Sequence, residues 1–140
     1  MADLKFRLHT PTDPDKARVL HERLVETGET LRTADIETFL FTLEDEAGTL
    51  CGGCKGDIAF RSAHIAELWV DEAYQGQGFG RALLHRAETH ALARNCMRIH
   101  LETRSEAARA VYQKVGYRVF GQLSDYKGSQ AFYYLEKRLD

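Results

Sequence analysis

The stretch that organises this chain is Ile65–Ala93, which reads IAELWVDEAYQGQGFGRALLHRAETHALA. It starts with a short apolar run ending at Val70 that is typical of a strand, passes through a glycine-rich loop, and continues with helical periodicity. The apolar side chains that repeat at the helical period are Leu83, Leu84, Ala87 and Ala91. The segment is therefore predicted to be a strand, a loop and an amphipathic helix in succession.

Three glycines, Gly76, Gly78 and Gly80, alternate with Gln77 and Phe79 in the loop. Because glycine has no side chain, the backbone there can turn tightly and its N–H groups can converge. The first N–H groups of the next helix lack partners within the helix and lie at the positive end of its dipole. The pattern predicts a phosphate-binding loop and a phosphorylated cofactor, with a tight turn that binds no ligand as the alternative.

Two common nucleotide-binding motifs do not fit this loop. A dinucleotide-binding fingerprint would need glycine where Arg81 stands. A P-loop would need lysine followed by serine or threonine, and neither follows Gly80.

The composition indicates one domain covering residues 1–140, because 140 residues with 44% hydrophobic content suffice for a single core. The net charge of −2 arises from interspersed acidic and basic residues, so no nucleic acid partner is expected. The apolar runs fall short of the roughly 18 residues that a membrane span needs. No membrane partner is expected either, and without a recognisable secretory signal the predicted location is cytoplasmic.

The three cysteines are an odd number, so a disulfide framework is not expected. Cys51 and Cys54 form a CxxC pattern, but an offset of three residues in a strand would place the two thiols on opposite faces. Because no second pair is present to complete a metal site, they are interpreted as ordinary strand cysteines and no metal is predicted.

The sequence patterns along the chain predict that its strands and helices follow in the order β-α-β-β-β-α-β-α-β-β. Alternation at Leu4–Leu8 predicts a first strand, and Asp13 with Pro14 predicts the start of a helix that ends at Gly28. The other predicted strands cover residues 36–43, 49–59, a segment ending at Val70, 97–103, 117–123 and 130–138. A helix at 105–115 has the predicted buried stripe Ala107, Ala108, Val111, Tyr112 and Val115. The fold class is α/β (α+β), a mixed and mostly antiparallel sheet of about seven strands flanked by about three helices.

Two motifs resemble those of the GCN5-related N-acetyltransferase (GNAT) family, and the predicted order of elements is similar to the family's along nearly the whole chain. The loop Gln75-x-x-Gly78-x-Gly80 resembles the family's acetyl-CoA loop, Gln/Arg-x-x-Gly-x-Gly/Ala. The family's Asn-x-x-Ala-x-x-x-Tyr-x-x-x-Gly-Phe is matched by Ser105-x-x-Ala108-x-x-x-Tyr112-x-Lys114-x-Gly116-Tyr117. Shorter segments resemble a bacterial subgroup of small uncharacterised acetyltransferases: Gly52-Gly53, Leu68-Trp69-Val70-x-Glu72, Asn95-Cys96, Leu101-x-Thr103, Phe120-Gly121 and Tyr134-Leu135-x-Lys137.

The resemblance implies an enzyme that transfers an acetyl group from acetyl-CoA to an amine. The interspersed charges and the net charge of −2 favour a primary amine of a small molecule over a lysine-rich or phosphate-rich macromolecule. The cofactor-binding residues that it implies are Leu68, Trp69, Val70, Gln75, Gly76, Gln77, Gly78, Phe79, Gly80, Arg81, Ser105, Ala108 and Tyr112. Gln75 replaces the more usual arginine, which removes one charge contact to phosphate. Ser105 replaces asparagine and remains suited to cap a helix.

The resemblance also suggests catalytic roles. Tyr112 matches the family tyrosine that lies near the cofactor sulfur and acts as general acid, and its alternative role is that of a core aromatic. His64 and Glu67 are the candidate bases, and strand alternation predicts that they lie on opposite faces, with ordered water as a third candidate. Tyr126 and Tyr133 are predicted to line the acceptor pocket.

The expected partner is thus a small-molecule amine, and formation of a homodimer is left open. The alternative function is a non-catalytic module on the same fold that senses acyl-CoA or contacts another protein.

Overall fold

The computed structural model describes residues 2–140, which fall into two compact units. The first unit ends at Asp35 and contains helix α1, Pro14–Thr27. The second unit, Ile36–Asp140, contains a six-stranded sheet and two further helices. None of the helices in the described residues is long and apolar enough to cross a bilayer.

Helix α1 has the two ends that the sequence predicts. The Asp13 carboxylate accepts hydrogen bonds from the amides of Asp15 and Lys16 at 3.0 and 3.1 Å. Gly28 follows the last turn with φ 78°, a left-handed conformation that glycine adopts without strain. The capping aspartate and the terminating glycine therefore set the length of the helix.

The strand predicted at Leu4–Leu8 does not form, so residues 2–140 contain six strands rather than about seven. The side chains of Leu4, Phe6 and Leu8 are exposed. An alternating pattern specifies which way each side chain of a strand would point, but a strand also needs a neighbour that accepts and donates its backbone hydrogen bonds.

The six strands of the second unit form one sheet in the order β1-β2-β3-β4-β6-β5. Strands β1 to β6 are Ile36–Glu44, Leu50–Ala59, Ser62–Val70, Arg98–Thr103, Arg118–Lys127 and Gln130–Arg138. Neighbouring strands are antiparallel except β3 and β4, which are parallel and are joined by helix α2, Phe79–Ala93. Helix α3, Glu106–Lys114, joins β4 to β5. This mixed α/β sheet confirms the predicted fold class.

Helix α2 packs on one face of the sheet. Its apolar stripe is buried as predicted and shares a core with side chains from the strands. The strand residues buried in this core include Cys54, Ile58, Ala63, Ile65, Ile99, Leu101 and Leu135. The removal of this apolar surface from water holds the helix on the sheet. The polar, half-buried side chains of β3 and β4 lie on the opposite face: His64, His100 and Glu102.

A β-bulge interrupts the pairing of β3 with β2. The register shifts between Lys55 and Gly56 of β2, which leaves Ala66 as an extra residue in β3. An extra residue displaces the alternation of side chains by one position. His64 and Glu67 therefore lie on the same face, and the prediction that they lie on opposite faces is wrong.

Gly56 is the residue that permits this bulge. A Cβ atom built on Gly56 would lie 2.1 Å from the carbonyl oxygen of His64 and 2.5 Å from Cζ of Phe39. Both distances are far inside van der Waals contact, so any side chain at this position would force the strands apart.

A buried carboxylate connects α2 to the end of the chain. Glu88 accepts a hydrogen bond from the Tyr117 hydroxyl at 2.8 Å and one from Nζ of Lys137 at 3.0 Å. Burial, followed by this hydrogen bond, raises the pKa of Tyr117, so its hydroxyl remains a donor at neutral pH. Each carboxylate oxygen thus has a partner, which a buried charge requires.

We expect replacement of Lys137 by methionine to destabilise the fold. The variant Lys137→Met would leave the Glu88 carboxylate buried without its cation, so its free energy of unfolding should fall by about 2–3 kcal/mol. The control is Lys55→Met, because Lys55 and Glu67 form an exposed pair at 3.6 Å that should contribute less than about 1 kcal/mol. Urea unfolding measures both losses, and equal losses would contradict the assigned role of the buried pair.

Candidate active site

The loop between β3 and α2 is held in place by its own residues. The side-chain amide of Gln75 donates a hydrogen bond to the Val70 carbonyl at 2.9 Å, which ties the loop to the end of β3. Gly76 and Gly78 have φ values of 78° and 87°, so their backbone conformation favours glycine. Gly80 lies inside α2, where a Cβ atom would make an ordinary contact with Val70 at 3.7 Å. The conformation therefore favours glycine at two of the three glycine positions.

Helix α2 begins at Phe79 with free backbone donors. Ala82 donates to the Gly78 carbonyl at 3.0 Å, whereas the amides of Phe79, Gly80 and Arg81 have no hydrogen-bond partner within residues 2–140. No side chain among the described residues caps this helix at Gly78. Three donors at the positive end of a helix dipole are suited to bind an anion such as phosphate.

A cavity of about 380 Å³ opens beside these amides. It is lined by Gly78, Arg81, Ala82, Leu84, His85, Glu88, Val115 and Lys137. The guanidinium of Arg81 adds positive charge to that of the helix end. Lys137 adds a second cation, although its Nζ is already paired with Glu88. The charge of this cavity suits a phosphorylated ligand.

A second cavity of about 200 Å³ adjoins the first and has a mostly apolar lining. Its residues are Leu68, Gly80, Arg81, Leu84, Ala108, Val111, Tyr112 and Val115. The two cavities share Arg81, Leu84 and Val115, so the anion-binding region continues into an apolar one. The pair suits a ligand with a phosphate group at one end and an apolar arm.

Helix α3 lines the apolar cavity, so its apolar stripe is less buried than the sequence predicts. Ala107 and Val111 are exposed, while Ala108, Tyr112 and Val115 are half-buried. The prediction of a buried stripe is wrong because the apolar side of α3 borders an open cavity. Periodicity identifies the apolar side of a helix but not what covers it.

Tyr112 lies in this cavity with its hydroxyl protonated. Burial, with a smaller contribution from Cys54, raises the pKa of Tyr112. Its ring packs against Tyr117 with the centroids 5.9 Å apart. A raised pKa keeps the hydroxyl in the form that a proton donor requires at neutral pH.

Two other residues expected to bind the cofactor have local contacts of their own. The Ser105 hydroxyl accepts a hydrogen bond from the Ala108 amide at 3.1 Å and caps α3 as predicted. The side chain of Trp69 lines a different cavity together with Glu67, because neighbouring strand residues point to opposite faces and Leu68 faces the apolar cavity.

Strands β3 and β4 pair over three residue positions only, and the last pair is His64 with His100. From there β3 continues beside β2, whereas β4 continues beside β6. In the described chain, β4 therefore offers no partner to the backbone edge of β3 between Ile65 and Val70. An edge of this kind can hydrogen-bond an extended ligand.

A cluster of polar side chains surrounds the point where the strands part. Nε2 of His64 is 2.7 Å from Oε1 of Glu102, and Nδ1 of His64 is 4.0 Å from a carboxylate oxygen of Asp57. The rings of His64 and His100 stack with their centroids 4.9 Å apart. Burial, and then the neighbouring His64, lower the pKa of His100. Of these four residues the sequence predicted a role only for His64, although the polar second face of β4 was a signal for His100 and Glu102.

Glu67, the other candidate base, has different surroundings. Its carboxylate is exposed and lies 3.6 Å from Nζ of Lys55. A carboxylate in this position is solvated and already has a cationic partner.

The structure does not bring Tyr126 and Tyr133 together. Tyr133 is buried in the core, its hydroxyl donates a hydrogen bond to the Glu106 carboxylate, and Arg109 lies over its ring at 5.0 Å. Tyr126 is exposed and packs on Phe132 at 4.7 Å between ring centroids. Because Phe132 and Tyr133 are consecutive in β6, the two predicted pocket residues belong to opposite faces of the sheet.

The thiols of Cys51, Cys54 and Cys96 are free and buried. Burial raises the pKa of Cys54 to about 11 and also raises that of Cys96. Buried, free thiols fit the interpretation of ordinary core cysteines.

Comparison with known proteins agrees with this geometry. The model of the acetyltransferase (GNAT) family matches residues 5–117. The blasticidin-S acetyltransferase of Streptomyces morookaense is 36% identical over 95 residues, which are 67% of this chain and 70% of that protein. An acetyltransferase of Agrobacterium fabrum is 32% identical over 97 residues, 69% of this chain and 71% of that protein. The crystal structure of an acetyltransferase from Bacillus cereus matches with a TM-score of 0.81 at 28% identity, covering 95% of this chain and 97% of that chain. The chain therefore belongs to the GNAT family and is an acetyl-CoA-dependent N-acetyltransferase.

Proposed function

We propose that the protein transfers the acetyl group of acetyl-CoA to a primary amine of a small molecule by direct attack on the thioester. The observation that carries this proposal is the pair of joined cavities, one beside three free amides and one apolar with Tyr112 in its wall. Acetyl-CoA has phosphates at one end and a less polar arm that ends in the thioester. Its two kinds of surface match the two cavities.

The residues expected to bind acetyl-CoA have different roles. The amides of Phe79, Gly80 and Arg81 bind phosphate oxygens, and the Arg81 guanidinium adds a charge contact. The unpaired backbone edge at Leu68–Val70 binds the extended arm. The side chain of Gln75 acts indirectly by holding the loop on β3, since its amide is bonded to the Val70 carbonyl.

Proton transfer is assigned to two side chains. The Tyr112 hydroxyl gives its proton to the departing thiolate. His64 takes a proton from the acceptor amine, since it lies where β3 and β4 part and its imidazole is oriented by Glu102. Glu67 is the less favoured base because its carboxylate is exposed and paired with Lys55.

The acceptor is proposed to bind on the sheet face that carries Glu102. Tyr134 is the register partner of Glu102, so both side chains share that face. Tyr134 contacts Phe132 and Phe120, and Phe132 contacts Tyr126. This aromatic row would support an acceptor with an apolar body, with Tyr126 as the member predicted from the sequence.

We further propose that residues 1–140 act as one acetyltransferase domain. The matched family region, 5–117, extends across the boundary between the two compact units at Asp35 and Ile36.

Replacement of Gly78 by valine should weaken acetyl-CoA binding about ten- to hundredfold. A β-branched residue at φ 87° is strained by about 1–3 kcal/mol, and its side chain would crowd the free amides. Calorimetry on the folded variant measures the loss. The control is Gly80→Ala, which should bind normally because a Cβ atom there makes an ordinary contact. Unchanged affinity in the valine variant would place the phosphate site elsewhere.

Replacement of Tyr112 by phenylalanine should lower kcat by about 10²–10⁴-fold, the usual contribution of general acid catalysis, while the affinity for acetyl-CoA is retained. The phenyl ring can still pack, so the fold should survive. The matched control is Tyr117→Phe, which removes a hydroxyl bonded to Glu88 and should reduce stability more than kcat. A Tyr112 variant with the turnover of the unmodified enzyme would disprove the role as acid.

Small amines with an apolar body should have a higher kcat/KM than basic peptides. The net charge of −2 and the interspersed charges give no broad single-sign surface for a basic polymer. A panel assayed by release of free CoA thiol should include blasticidin S, because a relative is named for it. A preference for peptides would overturn the assignment of the acceptor, while binding of acetyl-CoA without turnover on any amine would favour the non-catalytic sensor.

A further inference from the structure

The polar cluster on the face opposite α2 contains a second histidine, His100, to which the proposed acetyl transfer assigns no role. His64, His100 and Glu102 each direct one ligand atom into it, and these atoms lie within 4.8 Å of one another. We propose that these three side chains form a binding site for a divalent transition-metal cation of the Zn²⁺ type.

The ligand set selects the kind of cation. Two imidazole nitrogens and one carboxylate oxygen are suited to Zn²⁺, Co²⁺ or Ni²⁺. Mg²⁺ and Ca²⁺ prefer sites made of oxygen alone, so they should bind here poorly. With three protein ligands, a fourth position stays open to water or a small ligand.

The sheet holds the three ligands on a rigid frame. His64 and His100 are register partners in the β3–β4 ladder, and Glu102 follows two residues later on β4, so the three side chains share one face. In a tetrahedral site with bonds of about 2.0–2.1 Å, neighbouring ligand atoms are about 3.3 Å apart. The 2.7 Å contact between His64 and Glu102 would have to open, and the wider separations, which reach at most 4.8 Å, would have to close. Rotations of the side chains suffice for shifts of this size.

The surroundings favour a dication. The Asp57 carboxylate lies 4.0 Å from Nδ1 of His64, which is too far for a hydrogen bond, and adds negative charge beside the site. Asp57 and Glu102 together offset two positive charges. Arg98, two residues before His100 on β4, is engaged by the Ser62 hydroxyl at 2.9 Å and by Glu136 at 3.6 Å. His64 and Glu102 are each somewhat over one quarter exposed, which leaves a path for the ion to enter.

An ion bound here would occupy the lone pair of Nε2 of His64. In the proposed reaction Nε2 of His64 donates to Glu102, and the lone pair of Nδ1 accepts the amine proton. A neutral imidazole that binds the ion through Nε2 carries its proton on Nδ1, so binding of the ion and proton transfer exclude one another. This consequence rests on the proposed function, whereas binding of the ion does not.

The test is titration of the tag-free, chelator-treated protein with Co²⁺ and Zn²⁺, followed by calorimetry and, for Co²⁺, by visible absorption. We expect one ion per chain. His64→Asn, His100→Asn and Glu102→Gln should each weaken binding by more than about a hundredfold. Asp57→Asn should weaken it by about tenfold, because it removes a negative charge beside the ion. Circular dichroism establishes that each variant is folded.

The matched controls remove a histidine and a glutamate that are exposed elsewhere. His21→Asn in α1 and Glu46→Gln between β1 and β2 should leave the affinity unchanged. The proposal is overturned by the absence of binding, by an affinity that all three ligand variants retain, or by a thiolate charge-transfer band that places Co²⁺ on the cysteines. Because binding is measured without acetyl-CoA or an amine, these results are independent of the turnover assays.

Discussion

The close approach of two strands at Gly56 is the constraint on which the site depends. A side chain there would collide with the His64 carbonyl oxygen, so the bulge in β3 requires glycine opposite it. The bulge lies just beyond His64, where the pairing of β3 with β4 ends. The free edge of β3 that follows has the apolar cavity of Leu68 on one face and the polar cluster of Glu102 on the other. One backbone irregularity thus places two chemically different environments on either side of the same strand.

The buried carboxylate of Glu88 links the stability of the fold to the charge of the cavity beside the free amides. Lys137 neutralises Glu88 and at the same time lines that cavity beside Arg81. A phosphate that attracted Lys137 would weaken its pairing with Glu88, and the cost of exposing a buried charge opposes such a movement. Arg81 has no comparable buried partner in the described part of the chain and is therefore the better contributor to phosphate binding.

Local chemistry explains which predictions from the sequence were correct. The capping carboxylate of Asp13, the left-handed Gly28 and the apolar stripe of α2 depend on residues within a few positions of one another, and each was predicted. The strand predicted at Leu4–Leu8 does not form, because a strand needs a partner that its own sequence does not specify. The prediction that His64 and Glu67 lie on opposite faces was wrong, because one extra residue in β3 reverses the alternation of its side chains. The approach of Glu102 to His64 depends on pairing between distant segments, and only the polarity of β4 hinted at it.

The hydrogen bond from Gln75 to the Val70 carbonyl has a consequence for the effect of salt. Both groups are neutral, so dissolved ions do not screen the contact that holds the loop, and the free amides keep their arrangement at high ionic strength. An arginine at this position would instead add an attraction to phosphate that salt weakens. In this chain the salt-sensitive attraction to phosphate comes mainly from Arg81. The affinity for a phosphorylated ligand should therefore decline less steeply with salt than in a relative that also has arginine in the loop.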